Sequence, residues 1–453
     1  MTLGFTDFGF TDFGFHENLA VVTKTQLNDD LSPPPAPIRP QLTLHLSNDA
    51  SDPQQLPLPM PDPPETSLDI QFSVPFVHRL RVTDDVSRKD LPQLLSVIEA
   101  GDGENAKVLL IAERSLAEPT GRIAEQLGQA NAIDLVHAPV LVDGGEGVKN
   151  SSKTVELILQ QINQLNLDRR SYIVAIGGGA MLDAVGYAAA VAHRGVRLIR
   201  LPTTTLAQAD SGVGVKNAIN HFEKKNWIGT FAVPWAVIND ANLLQTLPDR
   251  DFRCGFSEAV KVSLLKSEAE FSWLCENADA IREREAVASK RAVHQSCLLH
   301  LKHITHGGDP FEMLEARPLD FGHWSAHRLE PLTHYQIRHG EAVAIGVAID
   351  TIYSSLKFGF PEQDMRAVCK CLTRLGIPLW HEELTPTERL MHGLEEFRQH
   401  LGGRLTITML RGVGDPIDVH EIDHVAMRNA IEQLQQIHQE LATSHEPKVG
   451  SEG

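Results

Sequence analysis

SYIVAIGGGAMLDAVGYAAA, residues 171–190, is the stretch that decides the fold. A short apolar run ends in Gly177, Gly178 and Gly179, and an alanine-rich segment with helical spacing follows it. Glycines between a strand and a helix let backbone N–H groups approach a pyrophosphate, and the helix dipole adds positive potential there. The pattern is not GxGxxG, however, and such glycines also form plain tight turns. The stretch predicts a strand–turn–helix unit and leaves a dinucleotide site open.

The same alternation extends to both sides of this unit. Apolar runs at 107–112, 195–202 and 231–240 are typical of strands, whereas TVELILQQINQL at 154–165 has helical spacing. Alternating strands and helices predict a parallel sheet that is covered by helices. We therefore expect a Rossmann-like α/β domain over residues 71–245.

From about residue 245 onward, the periodicity becomes mostly helical. The long periodic stretches are 257–305, 341–358 and 365–375. A chain of this length exceeds what one core supports, so we expect a second, all-α domain over 246–445. The segment LPDRD at 247–251 is the expected hinge between the two domains.

The two ends of the chain differ from the rest. GFTDFGFTDFGF at 4–15 is a repeat, and a stretch rich in Pro, Asp, Gln and Ser follows it. Such a composition buries too little apolar surface to fold, which predicts a disordered leader over 1–70. A docking motif formed by the Phe repeat is the alternative. Residues 446–453 are expected to form a flexible tail.

Composition limits the classes of partner. The 453 residues are 42% hydrophobic and 22% charged, with a formal net charge of −18, which argues against nucleic acid or an anionic membrane as a partner. A phosphorylated ligand needs only a local basic pocket. The five cysteines are scattered and indicate neither a disulfide framework nor a zinc knuckle. Without a secretory signal or an apolar run of membrane length, a cytoplasmic protein is expected.

A second informative stretch, RPLDFGHWSAHRLEPLTHYQIRHGE, covers residues 317–341. His323 and His327 are one helical turn apart and His339 follows twelve residues later, so the first two share a helix face. Imidazole is a natural ligand of divalent transition metals, and Glu258 in GFSEAVK is the candidate third ligand. Taken alone, several His on a helix are more often surface or core residues. Glu258 and Lys261 share one helix face too, with a surface ion pair as the alternative.

Polar residues also cluster in the segment 193–229. Three threonines follow Pro202, and then come Asp210, Lys216, Lys225 and Asn226. Hydroxyls suit a ribose or a nicotinamide, and lysines with Asn suit phosphate oxygens. A solvated loop is the alternative interpretation.

Taken in order, these segments resemble 3-dehydroquinate synthase and its relatives, the sugar phosphate cyclases, over roughly residues 105–430. The motifs that carry the resemblance are GGGxxxD, RGxRxxxxPTTxxAQxDSxVGxK, a KNxIG segment, AExxK-like SEAVK, FGHxxxH and HGEAVAxG. It implies the fold of that family, a phosphorylated keto-sugar substrate, NAD, a Zn²⁺ or Co²⁺ ion, and a homodimer.

The resemblance also implies which residues bind the cofactors. The metal would be held by Glu258, His323 and His339. NAD would lie across Gly177, Gly178 and Gly179, with further contacts from Asp183, Thr203, Thr204, Asp143, Glu146, Lys149 and Lys225.

On the substrate side, the resemblance implies a phosphate pocket of Lys216, Asn226, His327 and Arg194, the last reaching across a dimer. Asp210, Lys225 and Lys261 match residues that bind substrate hydroxyls and cofactor. The implied reaction oxidises a hydroxyl transiently, eliminates phosphate, returns the hydride, and closes the carbocycle by an intramolecular aldol step.

This sequence departs from the family at the substrate end. Asp320 stands where the synthase has Asn, and the family's Lys fourteen residues before Arg317 is absent here, where His303 stands; Lys302 could replace it. Near the C-terminus, Arg398 or His400 replaces another lysine.

Arg317 is retained, and its region grips a carboxylate in 3-dehydroquinate synthase. A carboxylate at Asp320 would repel that group by about 1 kcal/mol in water at about 4 Å, and by more in a less polar pocket. A neutral hydroxymethyl end is therefore favoured, which points to sedoheptulose 7-phosphate and a valiolone-type product. A true 3-dehydroquinate synthase is the alternative. A glycerol-dehydrogenase-like oxidoreductase, which would release reduced cofactor, is the remote one.

Overall fold

The computed structural model describes residues 69–443 apart from 102, 223, 308, 401 and 402, and its folded unit begins at Ser73. The leader predicted over 1–70 lies, except for its last two residues, outside that description, as does the tail predicted over 446–453. The domain limits at 245 and 445 stay predictions. In the described part of the chain, no helix has both the length and the apolar character needed to cross a bilayer.

The strands, in chain order, are β1 Arg79–Thr83, β2 Ala106–Glu113, β3 Ile133–Leu135, β4 Val140–Val142, β5 Tyr172–Gly177, β6 Arg197–Pro202, β7 Lys216–His221, β8 Lys224–Phe231, β9 Ala236–Asp240, β10 Ile407–Gly412 and β11 Asp415–Val419.

The helices are α1 Leu91–Leu95, α2 Ala117–Gln129, α3 Lys153–Gln164, α4 Gly179–Val191, α5 Asp249–Cys254, α6 Phe256–Lys266, α7 Glu268–Arg282, α8 Ala286–His306, α9 His323–Leu332, α10 His339–Phe358, α11 Glu362–Arg374, α12 Thr387–His400 and α13 His424–Thr443.

The first half of the folded unit is built on a parallel sheet with the order β1-β9-β6-β5-β2-β3, and β4 pairs with the end of β2. Successive residues of β2 pack into different cores, Val108 and Leu110 on one side and Leu109 and Ile111 on the other. Strands that are buried on both faces read as continuous apolar runs, as β2 and β5 do. The predicted α/β class is confirmed.

The second half is predominantly helical, as predicted. Its centre is α10, which is apolar on nearly all sides because other helices surround it. The periodic stretch at 257–305 is divided into three helices, with Ser267 capping α7 through the backbone N–H of Glu270. The expectation of an all-helical half was incomplete, because the β10–β11 hairpin packs on α10 through a hydrogen bond from Leu410 N to Ser354 Oγ (3.1 Å).

A second hairpin, β7–β8, occupies the segment for which a solvated loop was the alternative. Its polar residues hide the strand periodicity. Asn217, for example, is buried because its side chain accepts a hydrogen bond from the buried Arg200 guanidinium at 2.5 Å. The hairpin lies at the carboxyl end of β6, where parallel sheets place their ligand sites.

The start of α9 lies in very close contact with α10. Gly322 adopts φ +78°, a conformation that favours glycine, and a Cβ built on Gly346 would lie 1.9 Å from the carbonyl oxygen of Gly322. The buried carboxylate of Asp350 accepts hydrogen bonds from Gly322 N (2.9 Å) and Trp324 Nε1 (2.8 Å). These contacts set the position of His323, which begins α9.

Replacing Asp350 with Asn tests this anchor. Burial raises the pKa of Asp350 to about 7, although its hydrogen bonds from Trp324 and Gly322 act in the opposite direction. Because the folded pKa lies above the unfolded one, the free energy of unfolding of the native protein falls as the pH rises from about 4 to about 7. The Asn variant lacks this titration. We therefore expect the difference in the free energy of unfolding between the native protein and the Asn variant to decrease by about 2 kcal/mol or more as the pH rises over that range.

The measurement is urea unfolding of both metal-free proteins in chelator at pH 4.5 and 7.5. An equal pH dependence in the two proteins would contradict the assignment.

Candidate active site

The site centres on two buried charges of α6. Glu258 and Lys261 are each 2% exposed, and Lys261 Nζ lies 2.5 Å from Glu258 Oε2 and 3.4 Å from Asp210 Oδ2. Buried ions are costly unless they are paired, so this group excludes the alternative of a surface ion pair. Lys261 lowers the pKa of Glu258 although burial acts to raise it, so the carboxylate is ionised.

Two imidazoles face the same carboxylate. Nε2 of His323 and Nε2 of His339 each lie 3.7 Å from Glu258 Oε1, and the potential ligand atoms of the three residues all lie within 4.8 Å of one another. Two ligand atoms of one tetrahedral Zn²⁺ ion are about 3.4 Å apart. One carboxylate and two imidazoles therefore fit a divalent transition metal and leave a position open for substrate.

The environments of the two histidines differ. Burial, with Lys261 adding to it, lowers the pKa of His323 to about 4, so its ring is neutral and able to bind a metal. Burial would also lower the pKa of His339, but Glu330 and Glu258 raise it to about 9. A metal ion must therefore displace a proton from His339 on binding.

Glu330, which the sequence analysis did not include, orients His339. Its Oε2 lies 3.4 Å from Nδ1 of His339, and its Oε1 accepts a hydrogen bond of 2.7 Å from Lys225 Nζ. A carboxylate behind a metal-binding imidazole holds the ring in place and raises its basicity. Glu330 lies three residues after His327, a spacing on one helix face that could have drawn attention to it.

The glycine turn lies at the carboxyl end of β5, as predicted. A Cβ on Gly177 would lie 2.9 Å from Glu113 Cγ, and one on Gly179 would lie 2.6 Å from Ser211 Oγ. Thr203 N donates to the Gly177 carbonyl (3.0 Å), and Thr204 Oγ1 accepts from Ala207 N (3.1 Å). Only glycine fits this turn, because the side chains of Glu113 and Ser211 crowd it, and the start of α4 places backbone N–H groups where a nucleotide phosphate could bind.

Sequence reasoning also missed Glu113. Its Oε1 accepts a hydrogen bond of 2.7 Å from Gly178 N, and burial raises its pKa although that hydrogen bond lowers it. An acidic side chain at the end of a neighbouring strand is the usual partner of a ribose hydroxyl in nucleotide-binding sheets. Its position at the end of KVLLIAE was the available signal.

A second polar cluster joins the glycine turn to the metal-ligand triad. Lys149 Nζ lies 2.8 Å from Asp183 Oδ2 and also contacts Asn226 Oδ1. Glu146 Oε1 lies 3.9 Å from Lys225 Nζ, which in turn contacts Glu330. The candidate cofactor residues Glu146, Lys149, Asp183 and Lys225 therefore lie together with Asn226, which was expected in the phosphate pocket. Asp143 stands apart, because it is exposed and faces Arg114 at 3.5 Å.

The substrate-end residues form a third group. Burial would raise the pKa of Asp320, but Lys216, His323, His327 and Arg317 lower it, so a carboxylate faces this end of the site. The ring of His327 is 5.3 Å from that of His323, as the helical spacing predicted. Lys216 is paired with Glu312, whose other oxygen lies 3.8 Å from Arg317 Nη1.

The structure does not bring every candidate to the site. Arg194 is exposed in the turn before β6, at the amino end of the parallel strands and thus at the opposite end from the glycine turn, so its proposed role depends on a second subunit. Lys302 is exposed on α8, and Arg398 pairs with Glu395 at 2.6 Å. The side chain of His400 lies outside the description.

The model of the 3-dehydroquinate synthase N-terminal domain matches residues 139–254, and that of the C-terminal domain matches 255–396. A 3-dehydroquinate synthase of Pseudomonas entomophila is 34% identical over 332 residues, 72% of this chain and 87% of the relative. A 2-epi-valiolone synthase of Actinosynnema mirum is 33% identical over 364 residues, 79% of this chain and 92% of the relative.

Among solved structures, a 2-epi-5-epi-valiolone synthase of Streptomyces hygroscopicus, with NAD⁺ and Zn²⁺ bound, superimposes with a TM-score of 0.73. It is 23% identical and covers 82% of this chain and 99% of its own. This likeness supports the two-part fold.

Removing the negative charge of Glu330 should weaken metal binding while leaving all three candidate ligands in place. At a pH above about 9, where His339 has lost its proton in both proteins, we expect Glu330→Gln to lower the affinity for Zn²⁺ about 10–100-fold, and Glu258→Ala to abolish stoichiometric binding. Competition with a chromogenic chelator measures both. Glu396→Gln, which removes an exposed partner of Arg328, is the matched control. Unchanged affinity in Glu330→Gln would refute its orienting role.

Proposed function

Since the chain belongs to the 3-dehydroquinate synthase family of sugar phosphate cyclases, we propose that it converts sedoheptulose 7-phosphate to a valiolone-type carbocycle with loss of phosphate. It uses NAD and Zn²⁺ or Co²⁺ and acts as a homodimer in the cytoplasm. A true 3-dehydroquinate synthase, acting on a seven-carbon heptulosonate phosphate, is the second candidate. A glycerol-dehydrogenase-like oxidoreductase is the remote one.

The observation that carries the proposal is the convergence of Glu258, His323 and His339 beside Lys261. When bound, the cation acidifies a substrate hydroxyl as a Lewis acid, and NAD takes up and returns one hydride. A dehydrogenase has no need to eliminate phosphate. Lys216, which is paired with Glu312, and Lys225, which is paired with Glu330, favour a phosphorylated substrate.

Lys261 and Asp210 orient the substrate hydroxyls toward Glu258, His323 and His339. The pKa of Asp210 is well below its usual range, since His300 and Lys261 outweigh the effect of burial, so its carboxylate accepts hydrogen bonds from hydroxyl groups. Lys261 donates to the same region because its ammonium is held between Asp210 and Glu258. Both residues orient the substrate without changing their own charge.

The phosphate lies among Lys216, Asn226 and His327, with Arg194 supplied by the second subunit. The nucleotide is held by Gly177–Gly179 and Glu113, and its other contacts are Glu146, Lys149, Asp183, Thr203, Thr204 and Lys225. Asp143, which faces Arg114, would have to leave that partner to join them. Lys225, fixed by Glu330, lies on the side of the triad that faces these cofactor residues.

The choice of substrate rests on Asp320. Its carboxylate is ionised and interacts electrostatically with Lys216 and Arg317. It therefore reduces the attraction of these two cations for an anionic substrate end. A neutral hydroxymethyl group donates a hydrogen bond to it. A substrate carboxylate would repel it, and in a pocket of effective dielectric constant about 20 two such charges at 4 Å repel by about 4 kcal/mol.

Purified protein loaded with Zn²⁺ or Co²⁺ and NAD⁺ should release phosphate from sedoheptulose 7-phosphate without net formation of NADH. Phosphate release, absorbance at the NADH band and mass spectrometry of the product measure this outcome together. Turnover of only the heptulosonate substrate would establish the second candidate. Steady accumulation of NADH would revive the dehydrogenase, and chelated protein is the negative control.

Asp320→Asn restores the residue that the synthase has at this position. We expect it to raise kcat/KM for the heptulosonate relative to sedoheptulose 7-phosphate by about tenfold or more, because it removes one like-charge repulsion. Asp418→Asn, a change in the β11 strand facing Thr408, controls for loss of a carboxylate elsewhere. An unchanged ratio of the two kcat/KM values would exclude Asp320 as a substrate-end determinant.

A further inference from the structure

Glu312 lies between two cations of the substrate end. One oxygen of its carboxylate contacts Lys216 Nζ, and the other lies 3.8 Å from Arg317 Nη1. The side chains of Glu312 and Arg317 are each only 20% exposed, so solvent screens their interaction incompletely. With Asp320 nearby, two carboxylates face two cations in this part of the site.

The turn that carries Glu312 is held by hydrogen bonds of its own. The side chain of Asp309 closes this turn, because its carboxylate accepts hydrogen bonds from the backbone atoms Met313 N (2.7 Å) and Leu314 N (2.9 Å). Glu312 itself adopts φ +52°, a left-handed conformation that a non-glycine residue rarely adopts without compensating contacts.

The same turn is anchored by aromatic contacts. The ring centroid of Phe311 lies 6.1 Å from that of Phe76 and 5.6 Å from that of Phe231, on strand β8. Hydrogen bonds on one side and aromatic packing on the other hold residues 309–314 against the site. Glu312 is therefore positioned toward the cations.

We propose that Glu312 is a specificity-determining residue, which neutralises Arg317 and thereby excludes substrates with a carboxylate at the end that faces it. This inference rests on the proposed function and adds a second residue to Asp320. An incoming carboxylate must compete with Glu312 for the Arg317 guanidinium and is repelled by it. A neutral hydroxymethyl end neither competes with Glu312 for Arg317 nor is repelled by Glu312.

Glu312 also weakens the attraction of Lys216 for anions, but this lowers the affinity for all phosphorylated substrates alike. Its ammonium has three donors, so it can keep the contact with Glu312 and still donate to a phosphate. A change in general anion affinity alters KM for both sugar phosphates equally. Only the ratio of the kcat/KM values for the two substrates therefore reports on the role of Arg317.

The test compares Glu312→Gln with the native enzyme, both loaded with metal and NAD⁺, on sedoheptulose 7-phosphate and on the heptulosonate phosphate. We expect the ratio of kcat/KM, heptulosonate over sedoheptulose 7-phosphate, to rise about tenfold or more, mainly through KM. Glu315→Gln is the matched control, because Glu315 lies in the same segment but pairs with Arg404 at the surface. Glu312→Ala, with the thermal midpoint of each variant, separates the charge effect from unfolding.

A ratio within about twofold of the native value in both Glu312 variants, or an equal change in Glu315→Gln, would overturn the inference. Native enzyme that prefers the heptulosonate would contradict the proposed substrate, yet a lower KM for it in Glu312→Gln would still support the role of Glu312. Calorimetric binding of both sugar phosphates to metal-free protein with NAD⁺ provides the same ratio without turnover. Failure of the variants to bind the heptulosonate more tightly than the native protein does counts against the proposal.

Discussion

The structure of the site depends on burying the carboxylate of Glu258. An ionised group with 2% exposure is tolerated only if charged or polar partners surround it, and here the ammonium of Lys261, the protonated ring of His339 and the neutral ring of His323 do so. Lys261 lies on the same helix as Glu258, but the two histidines come from α9 and α10, which are distant in sequence from α6. The packing of α6 against the starts of α9 and α10 is therefore as much an electrostatic requirement as a hydrophobic one.

The sheet contributes the other wall of the site. The glycine turn after β5 and the threonines after β6 lie at the carboxyl ends of parallel strands, which is where such sheets bind ligands. Asp210 lies beyond β6 and meets Lys261 from this side. One ammonium group thus connects the nucleotide half of the site with the metal half, and a shift of either half would expose an unpaired buried charge.

Much of this arrangement could be predicted from the sequence. Continuous apolar runs identified β2, β5 and β6, and the four-residue spacing placed His323 and His327 on one face. These signals are local. The β7–β8 and β10–β11 hairpins were missed, because their polar residues face partners that only the folded chain supplies.

The same reason explains the missed side chains. Glu330 reaches His339 only because α9 crosses α10, and Glu312 reaches Arg317 only because an aromatic cluster holds its turn. The spacing of Glu330 from His327 places it on the candidate ligand face of α9, but no spacing rule predicts its contact with His339 or that of Glu312 with Arg317. The role of the candidate metal ligand Glu258 was inferred from resemblance to a family, since it lies 65 positions before His323 in the sequence.

The absence of a side chain at Gly346 has a consequence for protein engineering. Alanine is ordinarily the safest way to stiffen a helix interior, because it restricts the unfolded chain and suits helical geometry. At this position the added methyl group would collide with the backbone of Gly322, one residue before His323. Alanine at position 346 would therefore displace the candidate metal ligand His323, so this common substitution cannot be used to stabilise α10.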